Sequence, residues 1–230
     1  MSSGILLDDV SVRLGERLAL EGVSLRLDQQ RIAVIGANGS GKSTFARLLG
    51  GLVTAESGTV SVLGLDPARQ ARELRRRVGF IFSNPDAQII MPTVAEDVAF
   101  SLRGDRLPKA HAAERVSAAL EEFGLIELAD RAAHDLSGGQ KQLLALCGAM
   151  IRRPELVIAD EPTAYLDARN SRLIAEHLLG DADPHRLVLV THDLALAARC
   201  DVAVLFDDGR LTAAGAPHDV IGRYETSLQC

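Results

Sequence analysis

The clearest chemical pattern in the sequence is a glycine-rich loop that runs from Gly36 to Ser43 as Gly-Ala-Asn-Gly-Ser-Gly-Lys-Ser. It fits the phosphate-binding pattern G-x-x-x-x-G-K-[ST], and it stands between an apolar segment and a predicted helix. Backbone amides in such a loop face phosphate oxygens, and the helix N-terminus adds partial positive charge. The loop therefore predicts a nucleotide site. The residues expected to bind the nucleotide are Gly36, Asn38, Gly39, Ser40, Gly41, Lys42, Ser43 and Thr44.

Two side chains of this loop have more specific expected roles. Lys42 should reach the β- and γ-phosphates and assist catalysis, and the Ser43 hydroxyl should bind Mg²⁺. The flanking strand and helix argue against a chance glycine-rich turn. The loop alone predicts a P-loop NTPase, and it does not separate kinases, GTPases and transport ATPases.

A pair of acidic residues, Asp160 and Glu161, ends a second apolar run that begins at Leu156. Ligands of open α/β sheets bind at the carboxyl ends of strands, so we expect Asp160 to hold Mg²⁺. Glu161 is the expected catalytic group that orients and polarises the attacking water. Taken alone, the two acids would also fit an exposed turn before Pro162. The phosphate-binding loop favours the catalytic interpretation.

A histidine, His192, follows a third apolar run over residues 187–191. It could hydrogen-bond the γ-phosphate or link it to Glu161, which makes it a candidate catalytic residue. The alternative is a solvated neighbour of a helix cap, because Asp193 could itself cap a following helix. The order of the motifs along the chain favours the catalytic role.

Short apolar runs alternate with helical patterns, which is typical of an α/β fold with a largely parallel sheet. The runs expected to form buried strands span residues 31–35, 78–82, 156–160, 187–191 and 202–206, with helices at 42–49 and 171–179. The opening segments 5–7, 10–14 and 23–27 predict an antiparallel layer beside the parallel core, and a further strand is predicted at 59–62. Helical patterns at 110–123 and 137–152 predict a helical subdomain inserted into the sheet domain.

Composition limits the function classes. The formal net charge of −6 disfavours a nucleic-acid scaffold, so no nucleic-acid partner is expected. Cys147, Cys200 and Cys230 match no zinc spacing and are expected to be reduced thiols of a cytosolic protein. The longest mostly apolar stretch, 143–151, is far short of the roughly 20 residues that span a bilayer. Any membrane association is therefore expected to come through a partner.

A further motif identifies a family resemblance. Leu136-Ser137-Gly138-Gly139-Gln140 resembles the signature of ATP-binding cassette (ABC) ATPases, and Pro162 to Asp167 resembles their D-loop. The resemblance covers essentially the whole chain. It implies one ABC ATPase domain over residues 1–230, with a RecA-like mixed sheet core at 1–84 and 155–230, an N-terminal antiparallel layer, and a helical subdomain at 85–154 that carries the signature.

The resemblance also implies how ATP is bound. Ser137, Gly138, Gly139 and Gln140 would form a second anion site at a helix N-terminus. Two such domains of the family pack head-to-tail, with each ATP between one P-loop and the other domain's signature. The single set of motifs implies a second ATPase subunit, identical or different, and Asp167 is an expected interface residue.

The segment from Ser83 to Phe100 is similar to the energy-coupling factor (ECF) group of ABC importers, in which Pro-Asp-x-Gln marks a short extra helix. Pro85, Asp86 and Gln88 match that pattern. The resemblance implies a membrane T subunit that docks here and a substrate-binding S subunit, with the chain at the cytoplasmic face of the membrane. Asp86 and Gln88 are the expected contacts. A helix start without any partner role is the alternative.

The sequence departs from the family at two places. Ser83 stands where the family usually has a glutamine that senses Mg²⁺ and the water; Ser83 could act through water, or Gln88 could compensate. The family often stacks an aromatic ring on adenine near Val12 to Leu14, and this sequence offers none there. Apolar contact or the stem of Arg13 would then hold the base, with loose base selectivity.

The transported solute is not encoded in an ATPase subunit. The residues 1–7 and the loop 35–41 are similar to the ATPase of biotin importers, which makes biotin the first expectation. Cobalt or nickel import is the main alternative. A soluble ABC ATPase would carry a coiled-coil insertion or a second cassette, and a small-molecule kinase would leave residues 136–140 without a role.

Overall fold

A computed structural model describes residues 4–180 and 185–228, and its order of elements places two sheets and a helical section in one chain. The strands are β1 (Ile5–Leu14), β2 (Arg17–Leu27), β3 (Arg31–Ile35), β4 (Ser57–Val62), β5 (Val78–Ile81), β6 (Leu156–Asp160), β7 (Arg186–Val190), β8 (Val202–Asp207) and β9 (Arg210–Gly215). The α-helices are α1 (Lys42–Leu49), α2 (Ala71–Arg77), α3 (Val94–Phe100), α4 (Lys109–Glu122), α5 (Gly138–Met150), α6 (Ala168–Leu179), α7 (Leu194–Ala197) and α8 (Pro217–Ser227).

The central sheet has six strands in the order β5-β6-β7-β3-β8-β9. All neighbours are parallel except β8 and β9, which form an antiparallel pair. Alternate residues of one strand face two different cores: Val157 and Ala159 face the helical side, and Leu156 and Ile158 face the second sheet. Burial on both faces explains why these strands are continuous apolar runs, and the predicted parallel α/β core is confirmed.

The second sheet is antiparallel, in the order β2-β1-β4, as the sequence predicted for the opening layer. The expectation of separate strands at 5–7 and 10–14 was wrong, because β1 is continuous from Ile5 to Leu14. Its register shifts between Leu7 and Val10, where Asp9 has a φ of 49°. Leu7 and Val10 are both buried although they lie three positions apart, and a bulge is what keeps them on one face.

The segment 85–154 contains α3, α4, α5 and short 3₁₀ turns, and no strand interrupts it. Helix α6 begins at Ala168, three residues before the expected start, because the Asp167 carboxylate caps it by accepting from the Asn170 N–H at 2.8 Å. The division at residues 84 and 155 stays a prediction. No helix within residues 4–180 and 185–228 is long and apolar enough to cross a membrane.

Candidate functional site

The phosphate-binding loop connects β3 to α1 in a conformation that requires glycine at two positions. Gly36 and Gly41 have φ values of 142° and 106°. A Cβ atom at Gly36 would lie 2.1 Å from the Phe206 carbonyl oxygen, and one at Gly41 would lie 2.8 Å from the Ala19 carbonyl oxygen. The loop is therefore pressed between β8 and β2, which fixes the path of its amides.

The Lys42 side chain folds back onto the start of this loop. Its Nζ donates hydrogen bonds of 2.8 Å to the carbonyl oxygens of Gly36 and Ala37, and only 6% of the residue is exposed. Burial lowers the pKa of Lys42 from its ordinary value, while the carboxylates of Glu161 and Asp160 act in the opposite direction. A buried ammonium group in this position is suited to meet phosphate oxygens.

The two expected Mg²⁺ ligands are in direct contact. The Ser43 hydroxyl at the start of α1 donates a 2.9 Å hydrogen bond to Asp160 Oδ1 at the end of β6. Asp160 is 3% exposed, and its burial raises the pKa of its carboxyl, against the effect of the Ser43 hydrogen bond. A hydroxyl and a carboxylate at one point are oxygen ligands that suit Mg²⁺ when nucleotide phosphates complete its coordination. Ser83, the third residue considered near Mg²⁺, takes no part in this hydrogen bond.

Glu161 and His192 form a second pair at the same sheet edge. His192 Nδ1 lies 2.7 Å from Glu161 Oε2, and the His192 backbone N–H lies 3.3 Å from the same oxygen. Glu161 has a φ of 53°, in the left-handed region, and its N–H donates to the Val190 carbonyl oxygen at 2.9 Å. The Glu161 side chain is 17% exposed and the His192 side chain 67%. A backbone held in this sparsely populated conformation is a feature of functional sites.

The structural alternative for His192 is also visible. Asp193 Oδ1 accepts hydrogen bonds from the N–H groups of Ala195 and Leu196 and so caps the short helix α7. The cap involves Asp193 alone, and His192 faces Glu161 instead. The two roles therefore belong to adjacent residues.

One cavity of about 220 Å³ brings most of the loop residues together with Glu161. It also includes residues of the β1–β2 hairpin. Its lining is Leu14, Arg17, Ala19, Asn38, Gly39, Gly41, Lys42, Ser43, Thr44 and Glu161. Larger cavities elsewhere in the described residues contain none of the expected catalytic groups.

The signature lies away from this cavity, at the start of α5. The Ser137 side chain accepts from the Gln140 N–H, and the Gln140 side chain accepts from the Ser137 N–H, which is a complete capping box. Ser137 and Gly138 are exposed. Gly139 packs against Asn170, where a Cβ atom would lie 2.5 Å from the amide, and Asn170 in turn donates to Asp167 at 2.8 Å. The D-loop residue Asp167 thus supports the signature within its own chain.

The Pro-Asp-x-Gln segment forms a 3₁₀ turn that is bonded to α5. Asn84 caps the turn, with its side chain accepting from the Asp86 N–H at 3.0 Å. Asp86 pairs with Lys141 at 2.7 Å, although 64% of the Asp86 side chain is exposed. Gln88 accepts from the Phe82 N–H at 3.3 Å and donates to the Ala145 carbonyl oxygen at 3.1 Å. The Gln88 amide is engaged inside the chain, which argues against its compensating for Ser83.

The sequence did not single out Gln142, which belongs to the same junction. Gln142 is 2% exposed, and its Nε2 donates to the Phe82 carbonyl oxygen at 3.4 Å. The backbone of Phe82, the residue before Ser83, is therefore held on both sides by glutamine amides. Gln142 directly precedes the apolar run 143–151, and its place next to that run on the predicted helix was the signal that could have identified it.

The expected base-contacting residues are separated by the structure. Val12 is fully buried, and the Arg13 guanidinium is bonded to Glu56 at 3.1 Å. Of the three residues from Val12 to Leu14, only Leu14 lines the cavity. Arg17, which the sequence did not single out, lines it as well.

Comparison with known proteins agrees with this geometry. The family model described as ABC transporter matches residues 20–164. The biotin transport ATP-binding protein BioM of Rhizobium etli is 43% identical over 220 residues, covering 96% of this chain and 97% of that protein. An energy-coupling factor transporter ATP-binding protein of Bacillus subtilis is 38% identical over 209 residues, covering 89% of this chain and 74% of that protein.

Two solved structures share the fold. The cbiO1 protein of Clostridium perfringens, part of the ABC transporter complex cbiONQ, superposes with a TM-score of 0.84 at 28% identity, covering 100% of this chain and 94% of that one. An ATP-binding cassette dimer bound to ADP and Pi superposes with a TM-score of 0.82 at 26% identity, covering 93% of this chain and 98% of that one. The expected ABC ATPase fold is confirmed.

Proposed function

Because the chain belongs to the ABC transporter family as an ATP-binding and ATP-hydrolysing subunit, we propose that it energises an importer of the energy-coupling factor type. The observation that carries the proposed site is the contact of Ser43 with Asp160 at the edge where Lys42 and Glu161 meet. Four groups with separate roles in phosphoryl transfer converge there from segments more than a hundred residues apart. Phosphoryl transfer needs mainly such positioning and charge stabilisation.

Each of these groups has a role in hydrolysis. Lys42 and the loop amides bind the phosphates, and Ser43 and Asp160 would hold Mg²⁺, which neutralises charge on the β- and γ-oxygens. Glu161 orients the attacking water, and His192 fixes the Glu161 carboxylate through the 2.7 Å contact. Since Glu161 is also held by the backbone, its carboxylate is preorganised before the nucleotide binds.

The functional unit in this proposal is a dimer of ATPase subunits. The signature residues Ser137 and Gly138 are exposed at the N-terminus of α5, outside the P-loop cavity of their own chain. A second subunit would place its signature against the γ-phosphate of the ATP bound to this chain. The signature of this chain would in turn contact the ATP bound to the second subunit. Support comes from the similar cassette that is dimeric with ADP and Pi. The γ-phosphate makes contacts that exist only in the closed dimer, so the dimer opens once hydrolysis has removed these contacts.

The membrane subunits would dock at the Pro-Asp-x-Gln turn. Asp86 presents an exposed carboxylate there, and Ile90 is a large apolar side chain that is 60% exposed four residues later. An acidic group beside an apolar one suits a docking helix with basic and apolar residues. Gln88 is assigned to the support of this surface, because both ends of its amide bond within the chain. The chain would thus lie at the cytoplasmic face of the membrane through the T and S subunits.

Biotin is the proposed solute. The relative named for biotin transport is 43% identical and matches nearly the full length of both chains. The cbiO1 protein, part of an ABC transporter complex, has only 28% identity and therefore carries less weight in the choice of solute.

The decisive experiment uses Glu161→Gln. With ATP and Mg²⁺, this variant should form a stable dimer by light scattering, while its turnover falls by about 100-fold or more. Normal turnover would remove Glu161 from the proposed role.

For transport, the chain is co-purified with its membrane subunits and reconstituted in vesicles that take up labelled biotin or labelled Co²⁺. ATP-dependent uptake of biotin is expected, and uptake of Co²⁺ alone would overturn the solute assignment.

A further inference from the structure

The P-loop cavity is lined by two chemically different sets of residues. Ser43 and Glu161 belong to the set that meets the γ-phosphate, Mg²⁺ and the attacking water in the proposed site. Leu14 and Arg17, on either side of the β1–β2 turn, line the same cavity and carry no group suited to the metal. Once the loop residues are assigned to the phosphates and Glu161 to the water, the large side chains of the lining left for the nucleoside are those of Leu14 and Arg17.

We propose that the guanidinium of Arg17 is the platform on which the nucleobase stacks, with Leu14 as its apolar neighbour. The inference rests on the proposed nucleotide site and names the residue that contacts the base. Guanidinium groups are planar and stack on aromatic faces, and every nucleobase has such a face. None of the residues that line the cavity is aromatic.

The position of Arg17 is fixed by the loop itself. Arg17 Nη2 donates a 2.7 Å hydrogen bond to the Gly39 carbonyl oxygen, so the guanidinium is held beside the loop that binds the phosphates. Within residues 4–180 and 185–228, Arg17 makes no ion pair with a carboxylate. Its charge and its planar face are thus available to a ligand.

Arg13, the residue expected from the sequence, is directed elsewhere. Its Nε lies 3.1 Å from both carboxylate oxygens of Glu56, and its Nη1 donates to the Glu16 carbonyl oxygen at 3.3 Å. Arg13 does not line the cavity. The two arginines of one hairpin therefore form a matched pair, one facing the nucleotide and one engaged at the surface.

A platform of this kind reads the face of the base and not its edge. Adenine and guanine differ in the hydrogen-bonding groups of their edges, and discrimination between them requires protein groups that pair with those edges. Stacking on Arg17 and contact with Leu14 supply none. The site should therefore bind ATP and GTP with similar affinity.

The test measures binding of ATP, GTP and inorganic tripolyphosphate, each with Mg²⁺, to the full chain by calorimetry. Arg17→Ala should weaken ATP and GTP by about two- to fivefold, as expected for a cation–π contact at an exposed site. Tripolyphosphate, which has no base, should bind to Arg17→Ala and wild type alike. Arg13→Ala is the matched control and should leave all three affinities unchanged. Leu14→Tyr supplies an aromatic ring and should reduce the effect of Arg17→Ala.

Three results would overturn the inference: equal weakening of all three ligands by Arg17→Ala, which would make Arg17 a phosphate contact; no effect on any of them; or a large preference of the wild type for ATP over GTP. A failure of the nucleotide site gives a different pattern. In that case Lys42→Ala would bind ATP as well as the wild type does, whatever Arg17→Ala shows.

Discussion

The hydroxyl of Ser43 and the carboxylate of Asp160 lie 2.9 Å apart, although 117 positions separate the two residues in the chain. The contact joins the start of α1, the helix that follows β3, to the end of β6. Strands β3 and β6 are both parallel to β7, so their carboxyl ends lie at the same edge of the sheet. Neither residue could hold a divalent cation alone, since such ions take several oxygen ligands. The fold therefore builds the proposed metal-binding part of the site by aligning two strand ends.

The buried Asp160 carboxylate is expected to lower the unfolding free energy of the protein when no nucleotide is bound. Burial raises the pKa of Asp160, so the folded chain holds this proton to higher pH than the unfolded chain does. Stability from this group is then present at low pH and is lost as pH rises through the ordinary pKa of 3.8 toward the raised folded value. Asp160→Asn should leave the unfolding free energy at pH 7 equal to or above that of wild type.

The same variant should lose its stabilisation by Mg²⁺ with ADP. Ligand that binds only the folded state raises the unfolding free energy by about 2.7 kcal/mol at 100 times its dissociation constant. Urea unfolding of both proteins, with and without Mg²⁺ and ADP, measures both effects. A variant that is destabilised without ligand, or that is stabilised by Mg²⁺ with ADP as strongly as wild type, would contradict the assignment.

His192 is expected to act through Glu161. His192→Ala removes the 2.7 Å contact with Glu161 and should lower kcat by about 10- to 100-fold, less than full loss of a general base. The KM for ATP should change little, because His192 does not line the cavity. The matched control is Asp193→Ala, which removes the α7 cap and should lower stability by about 1 kcal/mol with kcat nearly intact. A kcat loss in the control alone would favour the capping interpretation of this segment.

Much of the site could be predicted because short local patterns encode it. The structure has β3 and β6 at the predicted bounds, since each is a five-residue apolar run buried on both faces. Strand β9 was missed because it is an edge strand with only one buried residue, Ala213, which leaves little apolar signal. The helices α2 and α8 were also missed, and each buries a single residue, Leu74 and Val220 respectively.

Contacts between distant side chains could not be predicted. The directions of Arg13 in β1 and Arg17 in β2 follow the register shifts between these two strands, which residue types do not reveal. The pairing of Gln88 and Gln142 with Phe82 likewise requires the packing of α5 against the end of β5. Gln88 was one of two alternatives for replacing the glutamine that is missing at position 83, and its hydrogen bonds show that its amide is used within the chain instead.

Gln142 is expected to position the segment that carries Ser83. Ile81 is level with Ala159 in the parallel pair of β5 and β6, so Ser83 leaves the sheet at the level of Glu161. Gln142→Leu leaves the Phe82 carbonyl without its side-chain partner and should lower the unfolding free energy by about 0.5–1.5 kcal/mol.

If the amide positions Ser83, kcat should fall several-fold while the affinity for ATP stays unchanged, at a temperature where the variant is fully folded. The conservative variant Gln142→Asn tests whether side-chain length matters. Asparagine carries the same amide on a shorter side chain that should not contact the Phe82 carbonyl oxygen, so kcat should stay low. A variant that loses only stability, with wild-type kcat, would show that Gln142 serves packing alone.

The two described cysteines should be unreactive in the folded protein. Burial raises the pKa of Cys147 and of Cys200 to about 12, so the thiolate that reacts is scarce at neutral pH. In a Cys230→Ser background, a colourimetric thiol reagent at pH 8 should react with neither cysteine within the time that unfolded protein needs for full reaction. Rapid labelling of a folded sample would contradict the buried positions of both thiols.

Asp86 has two possible partners, Lys141 in its own chain at 2.7 Å and a basic group of a membrane subunit, and charge reversal separates them. Asp86→Lys should abolish coupled uptake in reconstituted vesicles and leave the ATPase activity of the isolated subunits nearly unchanged. Lys141→Asp alone should have a smaller effect, because an exposed ion pair is worth only about 0–1 kcal/mol. The double variant restores an ion pair of reversed polarity within the chain. If Asp86 contacts the membrane subunit, the double variant stays uncoupled. Restored uptake in the double variant would show that the pair with Lys141 is the whole role of Asp86 and would move the proposed docking contact elsewhere.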